Sequence, residues 1–179
     1  MLGSPLMTYA FVAILVVVAA ILGFAATRPD SFRLERSILI AAPADRIHPL
    51  IADFRNWRGW SPWENKDPGM TRTLSGAEAG VGAAYAWEGN KDIGAGRMEI
   101  LESSEARILI KLDFLRPFEA HNLAEFTLTP EGSGTRLTWA MSGPQPFIAK
   151  LMSLVFSLER MVGPDFETGL ANLKRRAEA

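Results

Sequence analysis

Residues 147–162, with the sequence FIAKLMSLVFSLERMV, form a long apolar stretch near the C-terminus. Its apolar residues recur at spacings of three and four, which places them on one face of an α-helix. They are Phe147, Leu151, Leu154, Val155, Leu158 and Val162. We expect one long helix here, packed against a sheet because so apolar a helix needs a broad cover. Because proline removes a backbone donor, Gly163 and Pro164 predict a bend or interruption before the helix resumes.

The chain before this stretch alternates between apolar and polar residues, which is the period of half-buried strands. Ile108 and Ile110 point one way, for example, and Lys111 points the other. The pattern predicts strands at residues 32–40, 71–74, 83–88, 96–102, 108–115, 123–129 and 135–141, with a helix at 44–54 and a short helix or tight turn at 56–63. We therefore predict an α+β fold in which a curved antiparallel sheet of about seven strands wraps around one C-terminal helix.

The first residues of the chain are apolar and carry no charged side chain before Arg28. Residues 8–26 approach the ~20 residues that a helix needs to cross a bilayer. An N-terminal transmembrane anchor at 1–27 is the main prediction, followed by a linker at 28–31 and a folded domain at 32–179. The alternative is a cleaved signal peptide, for which residues 23–25 (GFA) offer the small residues Gly23 and Ala25 at a possible cleavage site. Arg28, Arg33 and Arg36 follow the anchor, so the positive-inside rule predicts a cytoplasmic domain.

Charge and composition exclude several classes of function. The net charge is −1 at pH 7 and gives no basic face for nucleic acid. The chain has no cysteine, so disulfides and thiolate chemistry are excluded. The two histidines, His48 and His121, have no spaced catalytic partner, and no metal-ligand spacing, phosphate loop or nucleophile elbow is present. We expect no metal, no cofactor and no recognisable catalytic constellation, which leaves enzymatic activity uncertain.

Six short segments, set in an order of strand, helix, short helix, six strands and long helix, carry a likeness to a known superfamily. They are residues 36–45 (RSILIAAPAD), 51–57 (IADFRNW), 60–63 (WSPW), 87–89 (WEG), 134–139 (GTRLTW) and 166–173 (FETGLANL). With them the chain resembles the SRPBCC superfamily of START/Bet v 1-like helix-grip folds, and within it the polyketide cyclase/dehydrase-type branch found in bacteria. The likeness covers roughly residues 32–178. It implies a helix-grip fold with a cavity for an apolar ligand, and it is not specific for any one activity.

The candidate ligand-binding residues are the apolar side chains expected to face the space between the sheet and the helix. They are Trp57, Trp60, Trp63, Tyr85, Trp87, Met98, Leu112, Phe114, Phe126, Trp139, Met141, Met152 and Phe156. The tryptophans at spacings of three could cover one end of a cavity or simply fill the core, since aromatic side chains dominate packing. Methionines suit adaptable pockets and also fill gaps. The sequence leaves both readings open.

Three functions remain compatible with the sequence. The first is a membrane-tethered domain that binds a hydrophobic small molecule or lipid, as a carrier, chaperone or sensor. The second is a cyclase- or dehydratase-like enzyme acting on an aromatic or polyketide-like substrate, which needs a polar group inside the cavity. The third is a protein-interaction module with a filled core. The expected partners are therefore a hydrophobic ligand and, through the N-terminal helix, a membrane.

Overall fold

The computed structural model describes residues 5–179 and has the predicted α+β architecture. The α-helices are α1 (Pro5–Ala26), α2 (Ala44–Ala52), α3 (Trp63–Lys66), α4 (Phe147–Met152) and α5 (Leu158–Glu178), and a 3₁₀ helix spans Phe54–Gly59. The strands are β1 (Ser31–Ile40), β2 (Thr71–Gly76), β3 (Ala83–Glu88), β4 (Ala95–Ser104), β5 (Arg107–Arg116), β6 (Ala120–Glu131) and β7 (Gly134–Pro144). Each predicted strand is confirmed, with its ends extended by up to a few residues.

The seven strands form one antiparallel sheet in the order β1-β7-β6-β5-β4-β3-β2. Neighbouring strands from β2 to β7 follow one another along the chain, and β1 joins at the far edge beside β7. The β4–β5 pairing shifts register at Ala95/Gly96 and at Ile100/Glu102. Such bulges bend a strand and increase its twist, which favours the curvature that lets a sheet close around a helix.

The core lies between the sheet and α5. Ile108, Ile110 and Phe126 on the inner face of the sheet are completely buried, as is Leu173 on α5. The apolar residues of α5 recur at helical spacing on its buried side and include Phe166, Leu170, Leu173 and Ala177. Gly169 lets α5 come close to the sheet, because a Cβ there would lie 2.8 Å from the ring of Trp139.

The prediction of a single long helix through residues 147–162 is wrong. Helix α4 ends at Met152, a non-helical segment follows, and α5 begins at Leu158. The Ser153 hydroxyl donates to the Lys150 carbonyl oxygen (2.7 Å), and this side-chain hydrogen bond competes with continuation of the helix. The apolar residues of the stretch are largely exposed rather than buried against the sheet.

A bend or an interruption was expected at Pro164, and the interruption is wrong because α5 runs through that proline. The residue before a proline is normally kept out of the α conformation by a clash of its backbone N–H and its Cβ with the proline ring. Gly163 has no Cβ, so the Cβ part of this clash does not arise. Helix α5 therefore loses a single backbone hydrogen bond at Pro164 and continues to Glu178.

The chain separates into two compact units. One contains the described part of residues 1–32 together with residues 144–157, and the other contains residues 33–143 and 158–179. In the first unit α1 packs with α4, and the Lys150 ammonium forms an ion pair with Asp30 (2.6 Å). Helix α1 buries only Ala25 and is long and apolar enough to cross a membrane. A signal sequence meets the same criterion, so the choice between anchor and signal peptide stays a prediction.

Candidate functional site

The larger unit, made of residues 33–143 and 158–179, encloses a cavity of about 280 Å³. Most of its wall is aromatic or aliphatic, and only a few polar side chains reach it. The aromatic residues are Trp57, Trp63, Tyr85, Trp87, Phe114, Trp139 and Phe166. The aliphatic ones are Met70, Ile93, Met98, Leu112, Pro117, Ala124, Met141 and Val162, and the remaining polar ones are Ser61, Glu64 and Asp92. A concave apolar site with a few polar groups is the usual form of a small-molecule site.

The tryptophan-rich segment after α2 supplies one wall of the cavity. The indole N–H of Trp57 donates to the Ile51 carbonyl oxygen, and that of Trp60 donates to the Leu50 carbonyl oxygen, both at 2.9 Å. These bonds fix the two rings against the end of α2, with ring centroids 4.6 Å apart. Trp57 and Trp60 are thus buried core residues, and Trp57 also faces the cavity.

A second wall is formed where β7 meets α5. The rings of Trp139 and Phe166 stack almost parallel, at an angle of 8° and with centroids 4.1 Å apart. The rings of Trp60 and Trp63 meet Trp139 edge-on, each with a centroid distance of 5.6 Å. Offset stacking and edge-to-face contacts are the favourable arrangements of aromatic pairs, so these contacts stabilise the positions of the rings in this wall.

Trp87 forms a third wall and is held from several sides. Its indole N–H donates to the Ile93 carbonyl oxygen (3.3 Å), and its ring meets Phe114 edge-on with centroids 5.9 Å apart. Gly96 on the neighbouring strand leaves room for this ring, because a Cβ there would lie 2.4 Å from two of its carbon atoms. The ring position therefore depends on the absence of a side chain at residue 96.

Most of the predicted candidate residues lie together in the cavity wall. The structure brings Trp57, Trp63, Tyr85, Trp87, Met98, Leu112, Phe114, Trp139 and Met141 into contact with the cavity.

Four candidates are placed elsewhere, which corrects the expectation that they line the cavity. Trp60 and Phe126 are buried behind the wall, with 1% and 0% of their surface exposed. Met152 and Phe156 lie in the other unit and are about half exposed, at 46% and 57%. Their misplacement follows from the break between α4 and α5, since the prediction assumed one helix through both.

A buried polar cluster at the cavity, made of Glu64, Arg72 and Tyr85, was not predicted. The Glu64 side chain is 6% exposed and that of Arg72 is 15% exposed. The Arg72 guanidinium donates through Nε to Glu64 Oε2 (2.6 Å), and the Tyr85 hydroxyl donates to Glu64 Oε1 (2.7 Å). Glu64 and Tyr85 line the cavity, whereas Arg72 supports Glu64 from outside the wall. The arrangement satisfies a carboxylate that would otherwise be costly to bury.

The pKa shifts in this cluster follow from burial and from the Glu64 charge. Burial, followed by the hydrogen bond to the Glu64 carboxylate, raises the pKa of the Tyr85 hydroxyl well above its usual value of 10. Burial alone would lower the pKa of Arg72, but the hydrogen bond and the charge of Glu64 outweigh it and leave that pKa raised. Tyr85 therefore stays a neutral donor and Arg72 stays a cation across the physiological range.

Two further polar residues reach the cavity. Ser61 is 3% exposed, and its backbone N–H donates to the Trp57 carbonyl oxygen (2.8 Å). Asp92 is solvent-exposed and lies in the turn between β3 and β4, where its backbone N–H donates to Asn90 Oδ1 (2.9 Å). The polar groups of the wall thus divide into a buried set near α3 and an exposed carboxylate at the rim.

The two histidines lie outside the cavity wall. His48 Nε2 is 3.0 Å from the Ser103 hydroxyl, and burial lowers the pKa of His48. His121 Nδ1 is 2.8 Å from Asp113 Oδ1, and this hydrogen bond raises the pKa of the exposed His121. Within residues 5–179, no group of three or more His, Cys, Asp or Glu side chains is arranged to hold a metal ion.

Comparison with solved structures shows that the fold is shared with several proteins of low sequence identity. A protein from Thermobifida fusca is 23% identical, with a TM-score of 0.59 and with 81% of this chain and 92% of that one covered. The Aha1 dimer from Colwellia psychrerythraea is 13% identical, with a TM-score of 0.59 and coverage of 82% and 96%. The di-domain ARO/CYC StfQ from the steffimycin biosynthetic pathway is 13% identical, with a TM-score of 0.61 and coverage of 83% and 51%. At these identities the likeness shows the fold alone.

Comparison of the sequence with known families gives a clear match over the folded domain. No curated protein sequence matches the chain. The family model described as "Polyketide cyclase / dehydrase and lipid transport" matches residues 31–178. This match covers the whole sheet and α5, and it confirms the resemblance drawn from the six sequence segments. The chain therefore belongs to the polyketide cyclase/dehydrase and lipid-transport family.

Proposed function

We propose that this protein is a membrane-tethered helix-grip domain that binds a hydrophobic small molecule or lipid in its cavity. Residues 1–27 serve as the anchor, residues 28–31 as the linker and residues 32–179 as the binding domain. The observation that carries the proposal is the cavity of about 280 Å³ with its wall of aromatic and aliphatic side chains. Its volume lies near the lower end of the range for small-molecule sites, so the ligand is compact or enters only in part.

The apolar wall supplies the driving force for binding. Burial of apolar surface contributes about 25 cal/mol per Å², so a ligand that buries ~300 Å² gains roughly 7 kcal/mol. Loss of translational and rotational freedom offsets part of this gain, although a rigid and preformed wall keeps the remaining costs low. Stacked rings such as those of Trp139 and Phe166 offer such a wall.

The smaller unit supports the membrane part of the proposal. Helix α1 exposes nearly all of its apolar side chains, which suits a helix surrounded by lipid. Beside it, α4 and the segment after it expose Phe147, Ile148, Met152, Val155 and Phe156. An apolar face of this kind, next to a spanning helix, is suited to the bilayer interface. The anchor would keep the binding domain close to ligands dissolved in the membrane and raise their effective concentration.

Tethering is tested by fractionating cells that express the full chain. We expect the protein in the membrane fraction after an alkaline wash, with a mass that includes residues 1–27. A soluble protein that lacks those residues would identify a signal peptide instead. Accessibility of the folded domain to added protease in sealed vesicles then tests the cytoplasmic orientation that Arg28, Arg33 and Arg36 favour.

Ligand binding is tested by native mass spectrometry of the full chain in mild detergent, followed by lipid analysis of what co-purifies. We expect a stoichiometric hydrophobic passenger in the wild type. The passenger should be lost in Met141→Trp and Phe114→Trp, which fill the cavity. Leu101→Trp is the matched control, because Leu101 is 42% exposed on β4 and is not part of the wall. Unchanged binding in the folded cavity variants would refute the proposed site.

A second candidate function is that of a cyclase- or dehydratase-like enzyme acting on an aromatic or polyketide-like substrate. The presence of the Glu64 carboxylate in the cavity wall favours this function, because such an enzyme needs a polar group inside the cavity. A positioned carboxylate can act as a general base or acid within hydrogen-bond reach of a substrate. The test is incubation with a linear poly-β-carbonyl thioester, in which ring closure with loss of one water is followed by mass. Turnover by the wild type that Glu64→Gln abolishes would support this function, and absence of turnover in both would count against it.

The third possible function is that of a protein-interaction module, for which we expected a filled core. The cavity in residues 33–143 and 158–179 differs from that expectation. The similarity to the Aha1 dimer concerns the fold and does not extend to its partners. We therefore rank protein binding below the two functions that use the cavity.

A further inference from the structure

Ser61 presents an unused hydroxyl to the cavity. Only 3% of the surface of this residue is exposed, and the residue lies in the cavity wall. Its backbone N–H is bonded to the Trp57 carbonyl oxygen, and its own carbonyl oxygen accepts from the Glu64 N–H (3.3 Å). Within the described residues 5–179, the Ser61 hydroxyl makes no hydrogen bond, and it is not one of the fully buried unpartnered polar atoms, so it is open to the cavity. A hydroxyl can both donate and accept, so it can bond to a polar group of a molecule inside the cavity.

Glu64 lies three residues further along the chain and also has spare bonding capacity. Each oxygen of its carboxylate accepts one hydrogen bond, from Tyr85 and from Arg72. An ionised carboxylate has about four lone-pair positions, so two remain available. Because Glu64 lines the cavity, a donor on a bound molecule can reach it.

The charges around the cavity decide which kind of polar group fits. Glu64 and Asp92 are the acidic residues of the wall, and its members include no lysine, arginine or histidine. Arg72 contacts Glu64 from outside the wall, so the cavity meets the carboxylate and not the guanidinium. A carboxylate or phosphate group in the cavity would therefore lie closer to the negative charge of Glu64 than to the positive charge of Arg72, which disfavours it.

We infer that the cavity binds an uncharged amphiphile whose polar group is a hydrogen-bond donor, namely an alcohol or a phenol, with that group held between the Ser61 hydroxyl and the Glu64 carboxylate. The inference deepens the proposed function and rests on it. It identifies the polar group of the ligand, which the apolar wall alone leaves open. It also predicts discrimination against fatty acids and other anionic lipids, because these would place a negative charge beside Glu64.

The test uses three naphthalenes of nearly the same size and shape. They are 2-naphthol, which donates a hydrogen bond, 2-methoxynaphthalene, which does not, and 2-naphthoate, which is anionic. Binding to the full chain in lipid nanodiscs is measured by calorimetry at pH 7, with empty nanodiscs as the blank. We expect 2-naphthol to bind about tenfold more tightly than 2-methoxynaphthalene, which is the effect of one hydrogen bond to a charged or buried partner. Binding of 2-naphthoate should be the weakest of the three.

Substitutions then assign the preference to the two side chains. Ser61→Ala removes no hydrogen bond of the folded protein, and it should reduce the preference for 2-naphthol several-fold. Glu64→Gln should narrow the gap between 2-naphthol and 2-naphthoate, because it removes the charge that disfavours the anion. Ser37→Ala, at an exposed position on β1, is the matched control and should change neither ratio.

The outcomes separate this inference from the proposed function. If 2-methoxynaphthalene or 2-naphthoate binds the wild type as tightly as 2-naphthol, the cavity is a ligand site but the inferred polar contact is wrong. If the preference persists unchanged in Ser61→Ala, the contact is assigned to the wrong residue and the inference fails. If none of the three naphthalenes binds the folded protein, both the inference and the proposed cavity function are overturned. The wild-type comparison needs no variant, so the inference can be refuted even if Glu64→Gln does not fold.

Discussion

Substitution of Arg72 by methionine tests whether the ion pair behind the cavity stabilises the fold. Methionine keeps much of the length and apolar volume of the arginine side chain and removes its charge. The Glu64 carboxylate, 6% exposed, then keeps the Tyr85 hydroxyl as its remaining side-chain partner. The variant therefore leaves a buried negative charge without its cation.

The expected loss of stability follows from the burial of both partners. Removing one member of a buried ion pair costs about 3–5 kcal/mol, because the other charge is left uncompensated. The Arg72 side chain is 15% exposed, so some water can reach the site, and we expect the lower end, about 3 kcal/mol. The double variant Glu64→Leu/Arg72→Met removes both charges and should lose about 1 kcal/mol, chiefly because the Tyr85 hydroxyl has no acceptor.

The assay is guanidinium unfolding of the full chain in mild detergent, followed by tryptophan fluorescence. Arg97→Met is the matched control, because its ion pair with Glu99 is exposed, at 54% and 40%, and should be worth under about 0.5 kcal/mol. If Arg72→Met costs no more than this control, the buried pair does not stabilise the fold. If the double variant is as unstable as Arg72→Met, the loss comes from packing rather than from the unpaired charge.

Two other predictions concern residues outside this pair. The hydrogen bond with Asp113 raises the pKa of His121, so the stabilising contact should be complete below pH 6.5, the usual pKa, and should be lost as pH rises through the raised pKa. NMR titration should give a pKa above 6.5 that Asp113→Asn lowers, and an unchanged value would contradict the contact. Gly96→Ala should lower the free energy of unfolding by about 1–3 kcal/mol and weaken ligand binding, because its Cβ would displace the Trp87 ring. Gly132→Ala is the control, because its Cβ meets no atom within 4 Å and the variant reports only the cost of a positive φ. Equal unfolding midpoints for the two variants would refute this prediction.

Much of the fold was predictable because the strands bury one face. The alternation of apolar and polar residues around Ile108 and Ile110 identifies β5 from its own sequence, without knowledge of the strands beside it. The same reasoning holds for the other strands of the sheet. The C-terminal helix was not predictable in this way. A three-four spacing fits both a buried helix and a short helix that exposes its apolar face, and the sequence of α4 does not distinguish them. Position within the tertiary structure, not spacing, determines which apolar helix is the core.

The aromatic part of the site was predictable for the same reason, and the polar part was not. Trp87 and Trp139 lie on the inner face of their strands, so parity alone brings them to the cavity. Glu64 follows a turn rich in glycine and proline, where a glutamate is usually exposed. Its partners Arg72 and Tyr85 lie on β2 and β3, and no spacing rule links a residue of α3 to two later strands. Nothing in the sequence marks Ser61, because its inferred role depends on its position in the cavity wall and on a hydroxyl that makes no hydrogen bond within the described residues.

The position of β1 in the sheet has a consequence for how the chain is made. Strand β1 emerges from the ribosome early, yet its neighbour β7 is the last strand to be synthesised. Until then β1 has no strand to pair with, and its unpaired backbone groups are open to contacts with other chains. Pairings between distant parts of a chain also form slowly. The edge of β1 is therefore exposed to such contacts from the synthesis of Ile40 until β7, which ends at Pro144, has been made and has paired with it.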